Sequence, residues 1–347
     1  MAPLLELRHV TKVYGRGLFS QQHTVALEDF SIAIDAEPAS ITAVVGESGS
    51  GKTTLARLLL GTIAPTKGEV LYKGTDLQAL SGEARSAFRR DVQVIFQDPF
   101  EVYNPFYRVD HVLEVPIEKF GLARTREEKR AVAEEVLRTV GLRPEDTLGR
   151  YPHQLSGGQR QRIMVARALL LKPKLIIADE PVSMIDASLR ATVLSNLRQL
   201  NQEFGISFIY ITHDLATAYQ ISENIIVLYA GSVAEAGDVD LVVQQPQHPY
   251  TQLLIGSIPL PDPAQRWHAN ADHTLSGGAS AGRIGCRFAD RCPQVMSKCH
   301  SAAPALYHSD PHRLVACYLQ EAAPAVDGRE MASVFVGAAQ PVTAQPT

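Results

Sequence analysis

The chain has 347 residues, enough for about two domains with buried cores. It is 45% hydrophobic and 20% charged, ordinary values for a globular protein. Its 33 basic and 37 acidic residues leave a formal net charge of −4, which gives no bulk attraction to nucleic acid or to anionic lipid. The amino-terminal MAPLLELRHVTKVYG lacks an apolar core followed by a cleavage site. No apolar run reaches the roughly 20 residues of a membrane-spanning helix. The chain is therefore expected in the cytoplasm, with any membrane contact made through a partner.

Along the chain, five short apolar runs read as buried strands: SITAVVG at 40–46, DVQVIFQ at 91–97, KLIIADE at 174–180, ISFIYIT at 206–212 and NIIVLYAG at 224–231. Helical patterns separate most of them, which predicts an α/β fold with a mostly parallel sheet. The charged, helix-favouring segment 107–150 reads as an inserted helical subdomain. From about residue 240 the character changes, and a Pro/Gly/Ser-rich linker follows over 257–283. The Ala/Pro-rich end after Leu319 is expected to be disordered.

The first strand runs straight into GESGSGKTT, comprising Gly46, Glu47, Ser48, Gly49, Ser50, Gly51, Lys52, Thr53 and Thr54. A glycine-rich turn between a strand and a helix matches the phosphate-loop pattern G-x-x-x-x-G-K-[ST]. Backbone N–H groups at such a helix start face the phosphates, Lys52 reaches the β/γ-phosphates and Thr53 ligates Mg2+. Further on, LIIADE ends an apolar strand in Asp179 and Glu180, at the sheet edge where α/β folds bind ligand. Asp179 is expected to hold Mg2+, directly or through water, and Glu180 to act as general base on the attacking water. His213 and Gln97 also fall at strand ends. The imidazole is placed by the γ-phosphate; the amide is placed to ligate Mg2+ or to position water.

A second anion site is predicted at LSGGQRQR. Ser156 is a good N-cap, and Gln159 three residues later completes capping-box spacing ahead of an apolar helix that Pro173 ends. Gly157 and Gly158 then lie at a helix N-terminus. One cassette with two anion cradles suggests a head-to-tail pair, in which this loop closes over a partner's nucleotide.

In this order the motifs resemble the ATP-binding subunits of ABC transporters, over roughly residues 4–320. The resemblance implies a RecA-like P-loop ABC nucleotide-binding domain with an inserted α-helical subdomain, plus a small Cys-containing C-terminal extension. The expected divisions are a cassette at 1–240 with its helical subdomain at about 98–165, the extension at 241–320, and a disordered tail at 321–347. The family pattern makes ATP and Mg2+ the ligands, Ser156 to Gln159 the signature, Asp186 the D-loop acid and Tyr14 the residue stacked on adenine.

The C-terminal part resembles the oligopeptide/dipeptide importer subfamily, through His248-Pro249-Tyr250 and the CRFADRCP stretch that begins at Cys286. The four cysteines are Cys286, Cys292, Cys299 and Cys317. Their spacing is wider than that of structural zinc sites. By resemblance they are candidate ligands of a [4Fe–4S] cluster; zinc, free thiols and a disulfide are the other readings. Arg287 and Arg291 flank this motif and either offset thiolate charge or are solvated. The resemblance further implies a second, homologous ATPase subunit in a heterodimer, two transmembrane permease subunits and an extracytoplasmic substrate-binding protein. It places the chain at the cytoplasmic face of the plasma membrane, with no nucleic-acid partner. Nickel or oligosaccharide uptake is the alternative cargo class, and a non-transport ABC ATPase is the rival outside transport. A second LSGG, at Leu275–Gly278, has no helix or acidic strand after it and reads as plain loop.

Overall fold

The computed structural model describes residues 2–15, 23–97, 103–183, 185, 187–258 and 284–336. In chain order its principal elements are β1 (Leu5–Tyr14), β2 (Thr24–Ile34), β3 (Ile41–Val45), α1 (Lys52–Leu59), β4 (Lys67–Tyr72), β5 (Thr75–Asp76), α2 (Gly82–Asp91) and β6 (Val92–Ile95). Then come α3 (Asp110–Lys119), α4 (Arg126–Thr139), α5 (Gly157–Leu169), β7 (Leu175–Asp179), α6 (Ala187–Phe204) and β8 (Ser207–Thr212). The chain closes with α7 (Leu215–Ile221), β9 (Asn224–Tyr229), β10 (Ser232–Asp238), α8 (Val239–Gln244), α9 (Pro249–Gly256), β11 (Leu306–Asp310), β12 (Arg313–Val315) and β13 (Ala325–Val326). Two compact units result, 1–79 with 212–347 and 80–211.

All five predicted buried strands form, as β3, β6, β7, β8 and β9. Strands β3 and β8 are buried at every residue, and β7 and β9 at every residue but the last. Such unbroken apolar runs suit parallel strands covered on both faces. In the first unit β3 pairs in parallel with β9, Thr42 opposite Asn224. In the second, β7 pairs in parallel with both β6 and β8. The antiparallel part is larger than expected. The order β2-β1-β4-β5 forms a separate sheet, and β9 continues through β10, β12 and β11 to β13 by antiparallel pairing. These strands are two to eleven residues long and, apart from the three-residue β12, include exposed or half-buried positions, so none offers the fully buried apolar run that marks β3 or β8.

The helices of the second unit show conventional local causes. Thr125 caps α4, and Glu128 completes its capping box. Leu113 and Ile117 of α3 and Val136 and Leu137 of α4 are buried. Residues 321–336 depart from the expectation of a disordered tail at 321–347. Residues 325–326 form β13, and 328–334 form a 3-10 helix that buries Met331 and Val334. Asn224 fixes Val336, two residues past this helix, its amide accepting from the Val336 N–H at 2.7 Å and donating to the Val336 carbonyl at 3.1 Å. The Ala/Pro content hid three apolar side chains, Met331, Val334 and Phe335, at helical spacing. Leu275–Gly278 and Asp186 lie outside the described residues. Among the described residues no helix is long and apolar enough to cross a membrane.

Candidate functional site

The phosphate loop lies between β3 and α1 in the first unit. Gly46 (φ +154°) and Gly51 (φ +108°) are glycines for two reasons. Their backbone angles disfavour L-residues. A Cβ would also meet the Leu228 carbonyl oxygen at 2.2 Å or the Ala26 carbonyl oxygen at 2.4 Å. Gly49 (φ +81°) differs, because a Cβ there would enter open space. Gly51 caps α1 without any side-chain acceptor. Ser50 is buried, and its hydroxyl has no hydrogen-bond partner among the described residues. Unused donors at a helix start fit an anion. The buried Lys52 ammonium donates to the Gly46 and Glu47 carbonyls at 2.6 and 2.9 Å, which folds it along the loop. Thr53 is exposed at the first turn of α1.

Tyr14 ends β1 with 37% of its surface exposed, and the Lys12 ammonium lies 5.3 Å from its ring centroid. His213 is exposed directly after β8. The next residue, Asp214, caps α7 by accepting from the Ala216 and Thr217 N–H groups.

The second unit brings together three other predicted residues. Asp179 ends β7 and Glu180 follows it. Glu180 has φ +45°, an uncommon left-handed conformation for a glutamate. Its N–H donates to the Ile211 carbonyl at 2.8 Å, and its own carbonyl accepts from the Ser183 hydroxyl at 3.0 Å. The Gln97 amide, two residues beyond β6, donates to the Glu180 carboxylate at 2.9 Å. An amide dipole therefore orients the candidate base.

The predicted capping box of α5 is present. Ser156 accepts from the Gln159 N–H at 3.2 Å, and the Gln159 side chain accepts from the Ser156 N–H at 2.9 Å. The buried Arg160 guanidinium fixes the approach by donating twice to the Leu155 carbonyl. Tyr103 is a core residue, its hydroxyl donating to the Arg160 carbonyl at 2.9 Å, whereas Phe106 is 86% exposed.

The cysteine motif is not arranged as the resemblance implied. None of the four thiols is in a disulfide. Among the described residues no group of three or more His, Cys, Asp or Glu side chains could hold a metal ion. Burial pushes the Cys317 thiol up to about 11, and it also raises Cys286 and Cys292. Cys286, Cys292, Cys299 and Cys317 as placed do not fit an iron–sulfur cluster.

The flanking arginines turn to carboxylates of the same unit. Arg287 pairs with Glu28, its Nε at 2.9 Å, and Arg291 forms a two-pronged pair with Glu47 of the phosphate loop at 2.9 and 3.0 Å. These partners lie more than 240 residues apart in sequence, so spacing could not reveal them. The buried His248 caps α9 by accepting from the Tyr250 N–H at 3.0 Å. Glu235, fully buried, accepts from the N–H groups of Gln247 and His248.

Residues 30–183 match the family model described as ABC transporter, and 234–299 match the one described as oligopeptide/dipeptide transporter, C-terminal region. The chain is 41% identical over 350 residues to the "Probable peptide ABC transporter ATP-binding protein y4tS" of Sinorhizobium fredii, covering 99% of this chain and 97% of that protein. It is 38% identical over 328 residues to the di/tripeptide transport ATP-binding protein DppF of Pseudomonas aeruginosa, covering 92% and 99%. Among solved structures it resembles the ATP-binding cassette MJ0796 in a dimeric, post-hydrolysis state bound to ADP and Pi. That match has a TM-score of 0.60 and 32% identity, covering 68% of this chain and 98% of that one.

Proposed function

The chain belongs to the ATP-binding subunits of ABC transporters, an ATP-hydrolysing family, and on that premise we propose that it powers uptake of oligopeptides or dipeptides through a membrane permease. The observation that carries the cargo class is the match of residues 234–299 to the oligopeptide/dipeptide transporter C-terminal region. Peptide transport in the names of both relatives supports it.

In this reading the N–H groups of residues 46–54 and Lys52 hold the phosphates, and Tyr14 stacks on adenine. Thr53, Gln97 and Asp179 would hold Mg2+, which when bound would neutralise charge on the phosphate oxygens. Glu180 takes a proton from water as the water oxygen bonds to the γ-phosphorus. The bond from that phosphorus to the β–γ bridging oxygen breaks, giving ADP and phosphate. The Gln97 amide keeps the Glu180 carboxylate turned to this task. His213 hydrogen-bonds the γ-phosphate. Ser156, Gly157, Gly158 and Gln159 act on the nucleotide of a second ATPase subunit, where Asp186 keeps its role at the shared interface. Two permease subunits and an extracytoplasmic binding protein complete the assembly, with this chain peripheral at the cytoplasmic face. Phe106 and its neighbours are offered to a permease helix. The proposal carries no metal centre in the C-terminal region.

Proteoliposomes holding the full assembly test the cargo. Labelled di- or oligopeptide should accumulate in an ATP-dependent manner, and the Glu180→Gln variant should abolish it. ATP-dependent uptake of nickel or an oligosaccharide, with none of peptide, would overturn the peptide assignment.

A further inference from the structure

A carboxylate is an awkward neighbour for a triphosphate, yet Glu47 is the second residue of the phosphate loop. The structure shows what compensates it. Arg291 Nη1 and Nη2 donate to the two Glu47 carboxylate oxygens at 2.9 and 3.0 Å, the parallel fork that guanidinium geometry favours. Arg291 is itself held in place. Its Nη1 donates to the Tyr229 hydroxyl at 3.3 Å, and its guanidinium lies 5.7 Å from the ring centroids of both Tyr229 and Phe288.

The Glu47 main chain is tied as well, its N–H donating to the Tyr250 hydroxyl at 3.0 Å. The Tyr250 ring packs against Tyr229 at 4.5 Å and Phe288 at 5.5 Å, between centroids. On the other flank, Arg287 grips Glu28 of β2, two residues after Ala26, whose carbonyl abuts Gly51. The C-terminal region therefore holds the phosphate loop directly at Glu47, and through Arg287 it braces the β2 segment that lies against Gly51.

We propose that Arg291 and Tyr250 are positioning residues of the ATP site, through which the C-terminal region sets the charge and shape of the phosphate loop. Arg291 cancels the Glu47 carboxylate, and Tyr250 fixes the Glu47 peptide. The inference rests on residues 46–54 being the phosphate loop. A half-exposed ion pair contributes little to stability by itself. Its effect falls on the ligand, because removing Arg291 leaves a bare carboxylate facing an incoming polyanion.

The test uses full-length chain in the assembled transporter, with MgATP turnover measured against ATP concentration. Arg291→Gln is expected to raise KM for ATP about fivefold with kcat within about twofold, as the loss of one charge interaction predicts. The double variant Glu47→Gln/Arg291→Gln is expected to recover KM to within about threefold of wild type. Tyr250→Phe should raise KM by a smaller factor. A brace that served folding alone would make the double variant no better than Arg291→Gln. That result, or an unchanged KM in Arg291→Gln, would overturn the proposal. Failure of the wild-type chain to bind ATP would instead overturn the phosphate-loop reading beneath it.

Discussion

Glu180 adopts φ +45°, which costs a non-glycine residue on the order of 1–3 kcal/mol. Hydrogen bonds from its N–H, to its carbonyl and to its carboxylate hold it there. The strained backbone turns its side chain to the Gln97 amide. Glycines in the phosphate loop show a different residue-scale logic. At Gly51 the angle and the approaching Ala26 carbonyl both exclude a side chain, while at Gly49 only the angle does. Gly51→Ala should therefore lose folding stability and ATP binding together. Gly49→Ala should lose about 1–2 kcal/mol of stability, the ordinary cost of left-handed backbone, but most of its ATP affinity, because the added methyl occupies the open space. Thermal melts beside an ATP titration separate the two. Equal destabilisation in both variants would contradict this account.

The helix that begins at Pro249 is governed by a buried histidine. His248 caps it through the neutral Nδ1, and burial lowers the imidazole pKa from 6.5 to about 4. A lowered folded-state pKa means stability present above 6.5 and lost as pH falls toward 4. The shift corresponds to on the order of 3 kcal/mol. Glu235 beside it has its carboxyl raised by burial, which acts with the opposite sign. His248→Asn keeps a capping oxygen and removes the titration. The wild-type chain should lose stability relative to this variant between pH 6.5 and 4, read from denaturant midpoints. A pH-independent difference would contradict the assignment. At the scale of elements, the strands legible in the sequence were the largely apolar runs β3, β6, β7, β8 and β9, of which all but β6 are buried along nearly their whole length. The partly exposed strands β1, β2 and β4 and the three-residue β12 gave no fully buried apolar run, and their pairing is set by long-range register. The capping box of α5 was legible because both partners lie within one turn.

For the molecule as a whole, the candidate ATP-site residues were legible because loop glycines, strand-end acids and a helix cap carry local patterns. Their support was not. Arg291 and Glu47, or Tyr250 and the Glu47 N–H, meet across more than 200 residues. The resemblance implied a metal centre that the placement of Cys286, Cys292, Cys299 and Cys317 does not form, since shared neighbourhood is not ligand geometry. The central claim is that this chain hydrolyses ATP through Glu180. The most direct measurement is MgATP binding and turnover by the assembled transporter, with wild-type chain and with Glu180→Gln. The account predicts retained ATP binding and turnover reduced by about 100-fold or more, the range expected for loss of a general base. Wild-type turnover in the variant would contradict it.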